Sequence, residues 1–294
     1  MYIRLFCLSA LSIFTLSATE KEPSAFPLGG DVSLGLDSFR SLPEGSWGGN
    51  MGAVGSLNLA YAIPKQNQGF GIQGGGSFGV YAWNGRGSTD TKALQLQGFA
   101  TVGLFRMTPH DSGFNAGACY DWDLEDNYGV FNLSPTIAQV RGQFGYLVKG
   151  GNEFGLQGSY GTDKAHKHYS ALPVTFKAIN QVNAFWTHIF KNHGETMIWA
   201  GTPYGPGLMY TSGRAGTYTV GASFKAPLTH SLSMFGHGVY MGARSGSADV
   251  ESKNYAANVS FGLTYAFGGK KTGSRPYLAL ANNSNFLVDT NTNY

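Results

Sequence analysis

The sequence contains little charge and no long apolar run. Asp, Glu, Lys and Arg make up 13% of the 294 residues, about half the usual share of roughly 25%. A chain of this length folded as a soluble protein would need a more highly charged surface. No stretch reaches the roughly 20 apolar residues that a membrane-spanning helix requires. Any residence in a membrane must therefore depend on strands.

Cysteine and clustered charge are also scarce. The two cysteines are Cys7 and Cys119. Cys7 lies in an N-terminal segment that we expect to be removed, so Cys119 would be left without an intramolecular disulfide partner. The formal net charge is +3, without the clustered basic residues that nucleic-acid binding calls for. The composition therefore excludes a disulfide scaffold and does not support a nucleic-acid partner.

The N-terminus has the pattern of a secretory signal. Arg4 precedes an apolar run that ends in small residues near Ala18, as in signal peptides that are cleaved after export. We therefore predict a signal peptide at residues 1–18 and a short N-terminal lead at 19–30.

Glycine and alternating apolar residues are abundant. Glycine contributes 43 residues, about double the usual share of roughly 7%. The clearest alternation runs from Tyr255 to Phe267, where each odd position is apolar and each even position is small or polar. This period of two predicts a strand with one apolar and one polar face.

The same period divides the chain into twelve predicted strands. They lie at about residues 31–40, 51–63, 69–83, 92–107, 114–122, 132–148, 154–160, 174–190, 196–201, 215–226, 232–242 and 254–267. Connectors after even strands are short and those after odd strands are long, as in outer-membrane barrels. The predicted fold class is one all-β, antiparallel up-and-down transmembrane β-barrel over residues 31–267, with about 12 strands and 10 to 14 possible.

The polar faces of these strands indicate a lumen. A soluble carrier barrel would show a charged face to water, whereas these faces carry mainly glycine, hydroxyl and amide side chains. The lumen-lining candidates are Gln73, Tyr81, Trp83, Gln95, Gln97, Thr101, Asp121, Gln139, Arg141, Gln143, Asn183, Thr219, Lys225, His237 and Asn258.

The last predicted strand carries a family resemblance. Bacterial outer-membrane β-barrel proteins end in a strand with a polar residue, a glycine and two apolar residues at fixed positions. The chain resembles these proteins, because all four positions are matched by Ser260, Gly262, Tyr265 and Phe267. The resemblance implies export through the periplasm, a bacterial outer-membrane location among lipid and lipopolysaccharide, and recognition of these residues by the barrel assembly machinery.

The chain departs from this family pattern after the signal. Such proteins usually stop at the terminal aromatic residue, but this chain continues through residues 268–294. A flexible periplasmic tail is the simpler interpretation. The apolar patch Phe286, Leu287 and Val288 motivates the alternative, a plug that folds back into the pore.

Two glycine patterns imitate chemical motifs. Gly69, Gly71 and Gly74 fit a dinucleotide-binding pattern, and Ser77 between two glycines fits a nucleophile elbow. Both motifs need a strand that leads into a helix, whereas here they lie within strand alternation. They therefore predict neither a nucleotide site nor a hydrolase.

Two histidines need separate consideration. Counting residues in both directions from the centre of the last hairpin loop places His237 near Ser260 in the lumen. A lipid-cleaving barrel would need such a His–Ser pair. A hydrogen-bonded pair in the lumen without catalysis is the commoner arrangement. His188 is expected to face outward between Trp186 and Phe190, in an interfacial aromatic belt.

Two charged clusters are predicted in outer loops. One contains Asp121, Asp123, Glu125 and Asp126, and the other contains Lys164, His166, Lys167 and His168. The acidic set lacks the glycine and terminal glutamate of a calcium loop, which leaves a loose divalent contact open. The basic set is compatible with anionic lipopolysaccharide or with a plain solvated loop.

The sequence thus predicts a passive channel for small hydrophilic solutes, without catalysis, metal or cofactor. The alternative is a non-conducting structural or surface-contact barrel that uses the loops 161–173, 202–214 and 243–253. A barrel lipid hydrolase is the third possibility.

Overall fold

Twelve strands close an antiparallel barrel. The computed structural model describes residues 28–45, 49–63, 69–83, 94–209, 213–243, 255–268 and 276–292; the predicted signal peptide and most of the lead lie outside them. The barrel strands are β1 (Leu28–Arg40), β2 (Asn50–Ala62), β3 (Phe70–Trp83), β4 (Gln95–Arg106), β5 (Gly113–Asp126), β6 (Thr136–Val148), β7 (Asn152–Gly161), β10 (Gln181–Ile189), β11 (Glu195–Pro203), β12 (Thr219–Pro227), β13 (Leu232–Met241) and β14 (Ala256–Gly268). The predicted twelve-stranded barrel is confirmed.

The first and last barrel strands close the structure. β1 pairs with β14 from Gly29 opposite Gly268 to Arg40 opposite Ala257. Every barrel strand therefore has two neighbours, and no unpaired edge is left.

Three further strands form a small sheet at one end of the barrel. β8 (Ala165–Tyr169) and β9 (Leu172–Ala178) form a hairpin in the connection between β7 and β10, and β15 (Val288–Thr290) pairs with β9. We call this end, where the long connections lie, the loop end, and the opposite end, with turns such as 149–151 and 228–231, the turn end.

The predicted strand at 174–190 is wrong. The chain leaves the hairpin after Ala178, and only Gln181–Ile189 enters the barrel wall, paired with β7 and β11. Both parts alternate apolar and polar residues, so a period of two does not distinguish a wall strand from a loop hairpin. The connection is consequently longer than the predicted loop 161–173.

The strand faces separate sharply by exposure. On β1 the outward Leu34 is 69% exposed, whereas the inward Asp37 is 5% exposed; on β14 the outward Val259 is 66% exposed and the inward Asn258 is 2% exposed. An apolar belt that surrounds the whole barrel fits lipid rather than water. Among the described residues, no helix is long and apolar enough to cross a bilayer.

An apolar core fills the loop half of the interior. Wall residues Phe39 and Phe99 pack there with Phe176 of the hairpin and with Phe286 and Val288 near the C-terminus. Residues 286–288, beyond β14, thus belong to the packed interior.

Candidate functional site: a lumen crossed by the C-terminal segment

The C-terminal segment, residues 276–292, crosses the lumen from the turn end to the loop end. Near the turn end, the Tyr277 hydroxyl donates a hydrogen bond to Glu153 Oε1 at 2.5 Å. Near the loop end, the Ile179 N–H donates to the Leu287 carbonyl at 2.7 Å, and β15 follows. Of the two interpretations of the tail, the structure has the segment that folds back into the barrel.

Wall side chains hydrogen-bond to the backbone of this segment. Gln73 donates to the Leu278 carbonyl at 2.9 Å and accepts from the Leu278 N–H at 3.1 Å. Thr101 Oγ1 accepts from the Ala281 N–H at 3.0 Å. Because this part of the segment is irregular, its backbone groups need such partners when they are buried.

A buried aspartate organises this part of the wall. Asp121 forms a bidentate ion pair with Arg141, with distances of 2.6 Å from Nε and 3.0 Å from Nη2. It also accepts hydrogen bonds from Thr101 at 2.8 Å and Gln139 at 3.0 Å. A carboxylate with three such donors holds them in fixed orientations.

The same three donors contact the C-terminal segment. Arg141 Nη2 donates to the Ala279 carbonyl at 2.8 Å and Gln139 donates to the Asn285 carbonyl at 3.1 Å, in addition to the Thr101 contact. Asp121 therefore positions three side chains that bind the segment. We call the inner face of β3–β6 the docking wall.

Asn283 anchors the middle of the segment by its side chain. Its Nδ2 donates to Asp37 Oδ2 at 2.9 Å and to Gln97 Oε1 at 2.7 Å, and Gln97 Nε2 donates back to Asn283 Oδ1 at 2.8 Å. The Tyr81 hydroxyl donates to the same Asp37 oxygen at 2.7 Å. This amide pair fixes the position of the segment along the lumen axis.

Two acidic groups at the loop end are buried. Burial raises the pKa of Asp289 in β15 to about 6, although the Leu208 N–H donates to this carboxylate at 2.7 Å and Lys177 lies nearby. Glu44 lies in a 3-10 turn, Leu42–Glu44, that contacts β15, and burial raises its pKa to about 7 against hydrogen bonds from Ser41. Burial therefore makes ionisation of both carboxyl groups less favourable than it is in water.

The predicted lumen residues occupy different surroundings. Those buried inside the barrel are Gln73, Tyr81, Gln95, Gln97, Thr101, Asp121, Gln139, Arg141, Asn183, Thr219 and Asn258, and those half-buried are Gln143, Lys225 and His237. The side chain of Trp83 lies outside the described residues. The structure brings the β3–β6 members together around the C-terminal segment, whereas Asn183 and Thr219 bond to each other on the other side.

A cavity lies between the segment and the inner faces of β12, β13, β14, β1 and β2, and residues of β3 and β4 complete its lining. It has a volume of about 210 Å³ and is lined by wall residues including Lys225 and His237 and by segment residues 279–283. We call the inner face of β13, β14 and β1 the cavity wall. The docking wall makes most of the described contacts with the segment, and the cavity wall binds it through Asp37.

His237 and Ser260 lie opposite each other in the register of β13 and β14, as counting from the centre of the loop predicts. Neither Ser260 Oγ nor His237 Nδ1 has a hydrogen-bond partner among the described residues. The His–Ser hydrogen bond of an activated nucleophile is thus not formed in the described structure. The glycine patterns lie in and just before β3, which continues as a strand to Trp83, so the chain does not turn into a helix at either pattern.

The acidic cluster does not lie in an outer loop as predicted. Asp121, Asp123 and Glu125 are buried inward-facing residues of β5, which continues to Asp126. Asp126 is partly exposed and accepts a hydrogen bond from Ser134. Charged side chains suggest a loop, but these alternate with the outward Trp122 and Leu124. Within the part of the chain that is described, no three His, Cys, Asp or Glu residues are grouped to hold a metal ion.

The remaining predicted residues lie at the two ends and the outer face. Ser260 and Gly262 face inward on β14, whereas Tyr265 and Phe267 face outward near the turn end. His166 and His168 lie on the exposed hairpin strand β8. His188 Nδ1 donates a hydrogen bond to Asn152 Oδ1 at 2.9 Å, beside outward aromatic residues.

Sequence reasoning missed the residues of the segment that bind the wall. Tyr277, Asn283 and Asp289 carry no periodic signal that links them to particular strands. The apolar patch at 286–288 was the available signal, and it lies in the packed loop half.

Known proteins resemble this architecture at low sequence identity. The COG4313 outer membrane channel from Pseudomonas putida F1 is 10% identical with a TM-score of 0.53, over 85% of this chain and 100% of that chain. The Salmonella typhi outer membrane phospholipase dimer with bound calcium is 8% identical with a TM-score of 0.46, over 84% and 94%. An anion-selective porin from Comamonas acidovorans is 8% identical with a TM-score of 0.37, over 82% and 98%.

The likeness to the channel from Pseudomonas putida F1 shows the fold alone, that of an outer-membrane β-barrel. No curated protein matches the sequence significantly. A family model described as a family of unknown function (DUF6666) matches residues 27–288. The chain belongs to this family.

Proposed function

We propose that this family member is an outer-membrane barrel that passes small hydrophilic solutes when its C-terminal segment leaves the lumen, and that the docked segment closes it. The observation that carries the proposal is the course of residues 276–292 across the lumen, bound by the side chains around Asp121. The bound state described above is then the closed state.

The chemistry of the wall supports a water-filled passage after release. Gln73, Thr101 and Gln139 would lose their partners in the segment and offer amide and hydroxyl groups to water. A lining of this kind suits neutral or weakly charged solutes without strong charge selection. Twelve strands lie between barrels filled by side chains and wide porins, so the passage would be narrow.

The proposed setting follows from the membrane-facing belt and the ends of the barrel. By the rule that outer-membrane barrels have short periplasmic turns, the turn end faces the periplasm and the loop end faces outward. Export with a signal peptide and insertion by the barrel assembly machinery belong to this proposal. Exposed His166 and His168 would then face lipopolysaccharide.

A second candidate is a barrel that never conducts and serves as a surface scaffold. The pairing of β15 with β9 favours it, since this pairing makes the segment part of the loop-end sheet. Under either candidate the barrel is proposed to carry no catalysis and to need no cofactor.

Planar-bilayer recording separates the two candidates. We compare the full chain with a variant that lacks residues 276–292 and with Ala281→Glu, which inserts a carboxylate at a fully buried position beside Thr101 and should expel the segment. We expect rare, brief openings for the full chain and sustained steps for both variants. Heat-modifiable migration in gels checks that each variant is folded.

Two results would overturn the proposal. Folded variants without conductance would favour the scaffold. Equal, sustained conductance in the full chain and in both variants would show that the segment does not close the barrel.

A further inference from the structure

The cavity wall presents an ordered patch of side chains. Three neighbouring strands contribute one residue each to two adjacent rows: His237, Ser260 and Asp37 stand side by side, and Phe235, Gly262 and Gly35 form the next row toward the turn end. Below them, Ser33 donates a hydrogen bond to Thr264 at 3.0 Å. An aromatic side chain thus lies between two polar rows.

The two glycines make room for the aromatic ring. A Cβ atom added to Gly262 would lie 2.9 Å from Phe235 Cε1, and one added to Gly35 would lie 3.1 Å from Phe235 Cζ. The ring therefore extends along the wall across both neighbouring strands. It also lines the cavity, so part of its surface is available to a bound molecule.

Two polar atoms in the row next to this ring have no partner among the described residues. They are Ser260 Oγ and His237 Nδ1, which are buried and whose residues line the cavity. Native proteins rarely leave buried polar groups unpaired, because each such group loses its hydrogen bonds to water. Since both residues line the same cavity, a polar molecule bound there is the nearest source of the missing bonds.

The size and charge of the cavity limit that molecule. Its volume of about 210 Å³ is several times the roughly 30 Å³ of one liquid water molecule, which leaves room for a single ring. Asp37 is already satisfied by Tyr81, Asn258 and Asn283. Asp31 and Lys225, which carry opposite charges, both line the same cavity. Neither sign of charge dominates, which favours a neutral ligand.

We propose that this patch is a binding site for a neutral polyhydroxylated ring of monosaccharide size, an inference that rests on the proposed passage of hydrophilic solutes and names their class. The C–H face of the ring packs on Phe235, since aromatic faces carry partial negative charge and C–H groups partial positive charge. Its hydroxyl groups bond to Ser260 and His237. Because the docked segment forms the opposite side of the cavity, the site exists in the closed barrel.

Saturation-transfer NMR on the full chain in lauryldimethylamine oxide micelles tests the site, with D-glucose as the probe. We expect saturation of the glucose ring protons in the parent protein and a loss of about fivefold or more in Phe235→Leu. The matched control is Phe185→Leu. Phe185 is also inward-facing and lies over a glycine, 2.7 Å from a Cβ added to Gly155, but it does not line the cavity.

A second comparison tests the ring shape and the polar contacts. Acyclic sorbitol should receive less saturation than glucose, and His237→Ala should lower the glucose signal as Phe235→Leu does. Absence of any glucose signal in the parent, or equal signals in Phe235→Leu and Phe185→Leu, would overturn the proposed site. Far-UV circular dichroism confirms the fold of each variant.

This outcome is independent of conduction. Glucose binding by a barrel whose segment-deleted variant does not conduct would reject the proposed passage and keep the site. Conduction by that variant, without glucose binding by the parent, would reject the site and keep the passage.

Discussion

The two walls of the lumen use similar residues for different purposes. On the docking wall, Thr101 and Arg141 each bind Asp121 and also the backbone of the C-terminal segment. On the cavity wall, Ser260 and His237 have buried polar atoms without a partner among the described residues, and both residues line the cavity. The hydroxyls of Thr101 and Ser260 are about equally buried, but of these two only that of Thr101 has described partners.

This difference separates closure from recognition. Side chains that bond to the chain's own segment hold that segment in place. Side chains that line the cavity and have unpaired polar atoms keep the capacity to bind another molecule. Substitutions on the docking wall should weaken the binding of the segment. Matched substitutions on the cavity wall should leave that binding nearly unchanged.

The largest effect is expected for Arg141→Met. This change leaves the buried Asp121 without its cation and should destabilise the barrel by about 3–5 kcal/mol. It also removes the donor to the Ala279 carbonyl, so the segment should dissociate more often. Urea unfolding in detergent, followed by tryptophan fluorescence, measures the first effect. Arg141→Lys keeps the charge and should lose less; equal unfolding free energies for the parent and Arg141→Met would contradict the account.

The next effect depends on pH and on Asp289. Because burial raises the pKa of this carboxyl to about 6, the docked segment binds the proton more tightly than the released one. Docking is therefore weakest above pH 6 and strengthens as the pH falls from about 6 to about 4, by at most about 3 kcal/mol. Hydrogen exchange at the Ala281 amide, corrected for its intrinsic pH dependence, reports docking. Asp289→Asn should flatten this dependence, and a profile that stays unchanged in the variant would count against this assignment.

A smaller effect is expected for Thr101→Val, which keeps the shape of the side chain. The variant loses the bonds to Asp121 and to the Ala281 N–H, and docking should weaken by about 1–3 kcal/mol. Exchange at the Ala281 amide should become faster by roughly fivefold or more. Unchanged exchange at this amide would show that the contact does not hold the segment.

The smallest effect is expected for Ser260→Ala on the cavity wall. Its hydroxyl has no partner in the described residues, so stability and Ala281 exchange should change by no more than about 0.5 kcal/mol. A loss as large as that of Thr101→Val would remove the distinction between the two walls.

The barrel could be predicted from the sequence because each of its strands alternates apolar and polar residues. Outward Phe261 and inward Ser260 follow from a period of two, and the pairing of His237 with Ser260 follows from the length of one hairpin. The direction of an inward side chain depends only on its own strand. The identity of lumen residues such as Gln97 and Gln139 could therefore be predicted without knowledge of their partners.

The course of the C-terminal segment could not be predicted in the same way. Asn283 meets Gln97 across 186 positions of the chain, and side-chain amides bind an irregular backbone without a repeating pattern. The hairpin β8–β9 alternates apolar and polar residues as a wall strand does, so its position outside the barrel could not be predicted from this pattern. Asp123 and Glu125 resemble loop residues in sequence because burial of both carboxylates depends on surroundings that other strands supply.

The most direct test of the central claim is the side of the membrane on which the C-terminal segment ends. In a Cys119→Ser background, which removes the buried free thiol, single cysteines are placed by Thr292→Cys, by Lys164→Cys at the loop end and by Thr229→Cys at the turn end. A membrane-impermeant maleimide is then applied to intact cells. The account predicts that position 292 is labelled like position 164, whereas position 229 requires permeabilisation of the outer membrane. Labelling of position 292 only after permeabilisation, as at position 229, would contradict a segment that crosses the lumen.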